Sequence, residues 1–186
     1  KELILLTELQ SALNLNKDKL NYRSDNFKNV SIEGKLLEVH LSNNLAYNDS
    51  LQSYFTIPTT DLSFQISYST YENIKSQGFD IVSNSELRLK IINLYDEVFA
   101  NSRDQEIKTS NLLTNSIQPI MFKYFKVTPI GFKPTDYKRL LSSEEYSNVL
   151  SLMVMLADNY EGLCEYSISE IDKLLIDIEL EIEKHK

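Results

Sequence analysis

The sequence contains no tryptophan, one cysteine, four glycines and four prolines among its 186 residues. A single thiol, Cys164, excludes an internal disulfide framework and a cysteine-based zinc finger. So few turn-formers argue against an all-β sandwich or barrel. No apolar run approaches the ~20 residues that a membrane helix needs, and stretches such as Leu3–Leu6 and Leu152–Ala157 are core-sized. No signal peptide opens the chain, and it starts at Lys1 rather than Met. A processed or truncated chain is therefore expected, with any targeting information upstream of Lys1.

Chemistry-bearing patterns are equally scarce. The histidines are His40 and His185, and the positions three before them are Leu37 and Ile182. The Glu-x-x-His pairs of a di-iron helical bundle are therefore absent. There is no Gly-x-Ser-x-Gly, no phosphate-binding glycine loop and no dinucleotide fingerprint. Cys164 lies on an apolar helical stripe, where an inert buried thiol is expected rather than a nucleophile. Asp177, Glu179, Glu181 and Glu183 are spread around a helical cylinder and read as a solvated face; the calcium-loop pattern is missing. We assign no catalytic residue, no metal ligand and no cofactor.

Positive charge is also in short supply. Nineteen Lys and Arg face 27 Asp and Glu, for a net charge of −8. The densest basic stretch holds Lys123, Lys126, Lys133 and Lys138 in a proline-broken segment, and reads as solvated surface. No nucleic-acid partner is expected. The acidic excess repels anionic headgroups, so no peripheral membrane patch is expected either.

What is present is helical periodicity in a chain that is 42% apolar. Leu6, Leu9, Leu13, Asn16, Leu20, Arg23, Phe27, Val30, Gly34, Leu37 and Leu41 step by three and four without a slip, a heptad seam with three non-apolar places. The spacing predicts one helix over about 2–44. At ~1.5 Å per residue it would run about 60 Å, which implies an elongated domain.

Residues 45–64 read as a loop, with one helical turn near Leu51–Phe55. A short helix over about 65–77 ends at Gly78. Ser83 and Glu86 form a capping-box pattern before Leu87, Ile91, Leu94 and Val98. Residues 100–111 are almost wholly polar and fit either a loop or an exposed helical middle. The uninterrupted pattern favours one helix over about 85–125, kinked at Pro119.

Residues 126–141 read as a loop, with Thr128–Pro134 a linker and a turn of helix from Thr135. Ser142 and Glu145 suggest a second capping box, opening a helix over about 142–184. There Val149, Met153, Leu156, Tyr160, Cys164, Ile168, Ile171, Leu175, Ile178 and Ile182 show a stutter near Gly162. The fold expected is all-α: one helical domain over 1–186, an elongated antiparallel bundle of three long helices plus one or two short ones.

Eleven tyrosines invite a ligand-cleft reading, although tyrosines also pack at core edges with wet hydroxyls. Tyr68, Tyr71 and Tyr95 are the candidates, together with Arg88. Arg88 reads as a bridge to an acid such as Glu72, fixing the corner between two helices, or as an anion contact.

Two stretches carry a resemblance. Tyr68 to Gly78, with Tyr71-Glu72-Asn73-Ile74-Lys75-Ser76-Gln77-Gly78 at its centre, precedes Ile81-Val82-Ser83-Asn84-Ser85-Glu86-Leu87-Arg88, Ile91 and Tyr95. This block resembles that of an uncharacterised bacterial family of short single-pass membrane proteins. Its pattern is a Tyr-Glu-x-Leu/Ile-Lys-Ser-x-Gly helix, then an Ile/Leu-x-x-Asx-x-x-Leu-Arg helix. Asp136-Tyr137, Leu140-Leu141, Glu144-Glu145-Tyr146, Asn148, Leu150 and Tyr160 are similar to the family's final long helix.

The resemblance implies a membrane helix before Lys1 and a helical domain on the periplasmic face of the inner membrane, of which this chain is a soluble fragment. It carries over no catalytic residue. The function expected is a non-enzymatic, membrane-tethered interaction or scaffolding domain of the bacterial envelope, with a protein partner or a second copy. The alternative is an extracytoplasmic sensor bundle binding a small ligand. A hydrolase would need an Asp/Glu/His convergence that two histidines far apart in sequence do not offer.

Overall fold

The computed structural model describes residues 1–184; His185 lies outside the described residues. The chain is all-α in the main. Its helices are α1 (Glu2–Ser42), α2 (Leu51–Tyr54), α3 (Ser69–Gln77), α4 (Ser85–Asn93), α5 (Ala100–Leu112), α6 (Gln118–Tyr124), α7 (Tyr137–Leu141) and α8 (Glu144–Lys184). One antiparallel hairpin pairs β1 (Phe125–Thr128) with β2 (Gly131–Pro134).

Wide π turns at Leu94–Phe99 and Leu113–Ile117 join α4, α5 and α6, so the backbone is helical from Ser85 to Tyr124. Residues 100–111 are therefore helix. The second wide turn precedes Pro119, which stands in the first turn of α6, where its missing N–H is tolerated. Among the described residues no helix is long and apolar enough to cross a membrane.

The described residues fall into two compact units. Unit 1 takes Lys1–Ser24, Ser63–Gln105 and the chain from Gly162; unit 2 takes Asp25–Leu62 and Glu106–Glu161. Each unit has its own core.

In unit 1, Leu6, Leu9, Leu13, Asn16, Leu20 and Arg23 of α1 are buried in the anticipated heptad order. The two non-apolar places hold a neighbouring segment. Asn16 accepts from the Ser67 backbone N–H (2.9 Å) and donates to the Ser67 carbonyl (3.0 Å). Arg23 donates to the Ser63 carbonyl. These bonds hold residues 63–67 out of helix, with Phe64 buried and Gln65 at positive φ. Helix α3 consequently begins at Ser69 rather than near 65.

Both expected capping boxes are displaced by one residue. Asn84, not Ser83, caps α4, accepting from the N–H groups of Glu86 and Leu87, while Ser83 donates to Glu2 of α1. Ser143, not Ser142, receives the Tyr146 N–H at the start of α8. Glu145 is absent from that cap because its carboxylate takes Lys123 and the Tyr124 hydroxyl.

The buried line of α8 is Tyr146, Leu150, Met153, Ala157, Tyr160, Cys164, Ser167, Ile171, Leu174, Ile178 and Glu181. It alternates four and three throughout, so the stutter expected near Gly162 is absent. Ala157 and Ser167 occupy places assigned to the larger Leu156 and Ile168, and Leu174 replaces Leu175, while the expected Val149 and Ile182 are buried beside this line, Ile182 next to Glu181. Glu181 is correspondingly not a solvated acid: it accepts from Asn84 and Lys184.

In unit 2, α1 and α8 run antiparallel. Ser31 and Lys35 both reach Asp158, and Ser151 reaches Glu38. The Ser31 hydroxyl, then the Lys35 ammonium, hold the Asp158 carboxyl below the usual range. Gly34 lies opposite Val154, and a Cβ there would overlap the Val154 Cγ2 methyl.

The 126–141 stretch, expected as a loop, is the hairpin followed by α7. Phe125 seats the hairpin base against Phe55 and Tyr146. Gly131 (φ 136) rests on the Gln52 carbonyl where no Cβ fits, and the Thr128 hydroxyl donates to Gln52 Oε1 at 2.8 Å. Asp136 caps α7 through the Arg139 N–H.

These contacts set the sign of one substitution. Helix propensity favours Ala over Gly by about 1 kcal/mol, whereas overpacking costs about 1–3 kcal/mol. Gly34→Ala therefore destabilises the native chain, but stabilises a Val154→Ala background. Urea unfolding of the two single variants and the double variant checks this reversal.

Candidate functional site

The candidate residues lie in unit 1, on α3, α4 and the first wide turn. Helix α3 buries Tyr71 and Ile74, three residues apart, and Tyr68 stands at its N-cap. The wide turn buries Leu94 with Tyr95 and Val98 with Phe99. Tyr71 and Tyr95 stack at 4.4 Å with their planes 2° apart. Tyr68 meets Tyr95 edge-on at 5.6 Å, and Phe99 meets Tyr95 edge-on at 5.1 Å. Phe79 closes the far side of Tyr71 at 5.6 Å.

Three of the four candidates are thus brought together, as core rather than as a cleft wall. Tyr71 and Tyr95 are buried, and desolvation pushes both phenols well above their ordinary range; Asp96 adds to the effect at Tyr71. The Tyr95 hydroxyl has no hydrogen-bond partner among the described residues. Neutral, enclosed phenols serve neither as bases nor as nucleophiles near neutral pH.

Arg88 is not part of this cluster. Its guanidinium donates to Asp80 (2.6 Å) and to the Val82 carbonyl (3.1 Å), not to Glu72. Gly78 and the tight turn Phe79–Ile81 carry the chain back to the first turn of α4, which places Asp80 within reach. Arg88 ties the start of α4 to the turn after α3, through the Val82 carbonyl together with the exposed Asp80.

Two open clefts lie elsewhere, and none of the three tyrosines lines either one. In unit 1 a cleft of about 630 Å³ runs between α4 and α8, bounded by Leu89, Lys90, Leu94, Leu174, Ile176 and Asp177. Lys90 spans it to Asp177 (2.9 Å) and also reaches Glu86 (3.2 Å). Those bonds, to Asp177 first, raise the Lys90 pKa and keep the ammonium charged. In unit 2 a cleft of about 390 Å³ lies among Val39, Leu41, Leu140, Tyr146 and Leu150.

The Glu86–Lys90 spacing of four was the sequence signal for the first cleft, although nothing local pointed to Asp177. Among the described residues no three His, Cys, Asp or Glu converge as metal ligands. No family model, no curated protein and no solved structure matches the chain.

The buried phenols give a pH dependence of definite sign. Their pKa is raised by folding, so their contribution to stability is complete below pH ~10 and falls as pH climbs beyond it. In a spectrophotometric titration, Tyr71, Tyr95 and Tyr146 ionise only with unfolding.

Arg88→Ala costs about 1–2 kcal/mol, because the carbonyl of buried Val82 loses a charged donor. Asp80→Ala changes little, its side chain being 95% exposed. Denaturant unfolding of both variants separates the two contacts.

Proposed function

We propose that this chain is a non-enzymatic helical interaction domain whose three long helical segments work as an antiparallel bundle. The observation that carries the reading is a second apolar stripe on α1. Ile32, Leu36 and Val39, spaced four and three, are exposed on unit 2, while Ser31, Gly34 and Leu37 of the same turns are buried. A helix with its core seam already satisfied has no internal use for another apolar line, and such lines mark partner surfaces. The partner proposed is a second copy or another helical protein of the bacterial envelope. The membrane tether and the periplasmic location rest on the family resemblance alone.

A small-ligand sensor is the second reading. What favours it is the α4–α8 cleft, whose volume suits a small molecule, rather than the tyrosine cluster.

Sedimentation equilibrium and capture from envelope extracts test the first reading. Concentration-dependent self-association, or a specific captured protein, is expected for the native chain and is lost in Leu36→Asp with helicity retained. A strict monomer with no partner sensitive to Leu36→Asp overturns it.

A further inference from the structure

The three most exposed large apolar side chains of unit 2 fall in one stretch. Phe122 on α6 is 66% exposed, Val127 on β1 68%, and Ile130 in the hairpin turn 64%. The hairpin beneath them is held firmly. Phe125 is in the core, Gly131 lies on the Gln52 carbonyl, and Lys133 pairs with Asp49 at 3.1 Å. Pro129 and Ile130 form a two-residue connection between the paired Thr128 and Gly131. The tip therefore presents Val127 and Ile130 on a pre-ordered support.

The charge of the segment that carries this tip opposes that of the chain. Residues 122–139 carry Lys123, Lys126, Lys133, Lys138 and Arg139 against a single acid, Asp136, in a protein of net charge −8. Glu145 answers Lys123, Asp49 answers Lys133, and Arg139 stacks over the Tyr124 ring. Among the described residues no hydrogen bond or ion pair holds the side-chain ammonium of Lys126 or Lys138. Lys126 also stands directly across the ladder from Lys133. Asp49 already takes the Lys133 ammonium, which leaves that of Lys126 for an outside anion.

We propose that the β1–β2 hairpin is a docking element for an anionic lipid surface, with Val127 and Ile130 entering the interface and Lys126 and Lys138 meeting the headgroups. An exposed apolar hairpin turn fits a shallow insertion of roughly 5–10 Å rather than the capture of a helix, which needs a groove. Lysine stems let the cations reach outward while the apolar residues go inward. The acidic remainder of the chain does not veto the contact, because charges beyond ~8–10 Å are screened at physiological ionic strength. The proposal does not rest on the α1 stripe, so either reading survives failure of the other.

Vesicle flotation with the whole chain tests it. Pure phosphatidylcholine vesicles are compared with vesicles of phosphatidylcholine and phosphatidylglycerol in equal parts. Flotation is expected with the anionic vesicles only, weakening as salt is added. Val127→Asp combined with Ile130→Asp lowers the bound fraction about tenfold or more, as does Lys126→Glu combined with Lys138→Glu. Leu36→Asp leaves flotation unchanged.

All four substituted side chains are exposed, and circular dichroism verifies folding of each variant. If one pair fails to fold, the other still decides. Absence of flotation with anionic vesicles overturns the proposal, even where an acidic protein binds the tip. So does equal flotation of a folded paired variant.

Discussion

The two 41-residue helices organise everything else by presenting seams that are not uniformly apolar. A wholly leucine seam would bury area and specify little. Here the exceptions do the specifying. Asn16 satisfies both backbone groups of Ser67, and Arg23 takes the Ser63 carbonyl, so a non-helical segment is held at one register on α1. In the other unit, Gly34 and Ser31 let Val154 and Asp158 approach where a larger side chain would hold α8 off. Polar groups in a seam are costly if unpaired and directional if paired, and these are paired.

This explains which parts of the fold were legible in the sequence. Long periodic segments are read from one strong signal repeated many times, so the spans of α1, of the helical run from Ser85 and of α8 emerge from spacing alone. What spacing cannot show is a polar or small residue used as core. Ala157, Ser167 and Glu181 keep the α8 period regular, yet an apolar reading prefers their larger neighbours and infers a stutter. The hairpin was hidden similarly. Its four-residue strands are too short for a period, and its support comes from Gln52, far away in sequence.

The tyrosine block shows a related limit. Its residues are indeed assembled, because helical spacing on α3 and the wide turn after α4 place the rings together. Aromatic richness, however, did not distinguish a wall from an interior. The edge-on and stacked contacts fill the space a ligand would need. The clefts instead form where α4 meets α8 and where α7 meets α1, at junctions of elements that no short motif joins.

Neither unit is a continuous stretch of chain, and this bears on how the protein is made. Lys17 finds Asp172 across 155 residues, and Ser31 finds Asp158 across 127. Such closures are slow to nucleate, and a ribosome delivers α8 only after every other element. Until then the leucine seam of α1 is an unshielded adhesive line in a growing polypeptide. Unmasked seams of this kind are substrates for chaperones. The length of that exposure is set by how long the chain takes to be extended from α1 to α8.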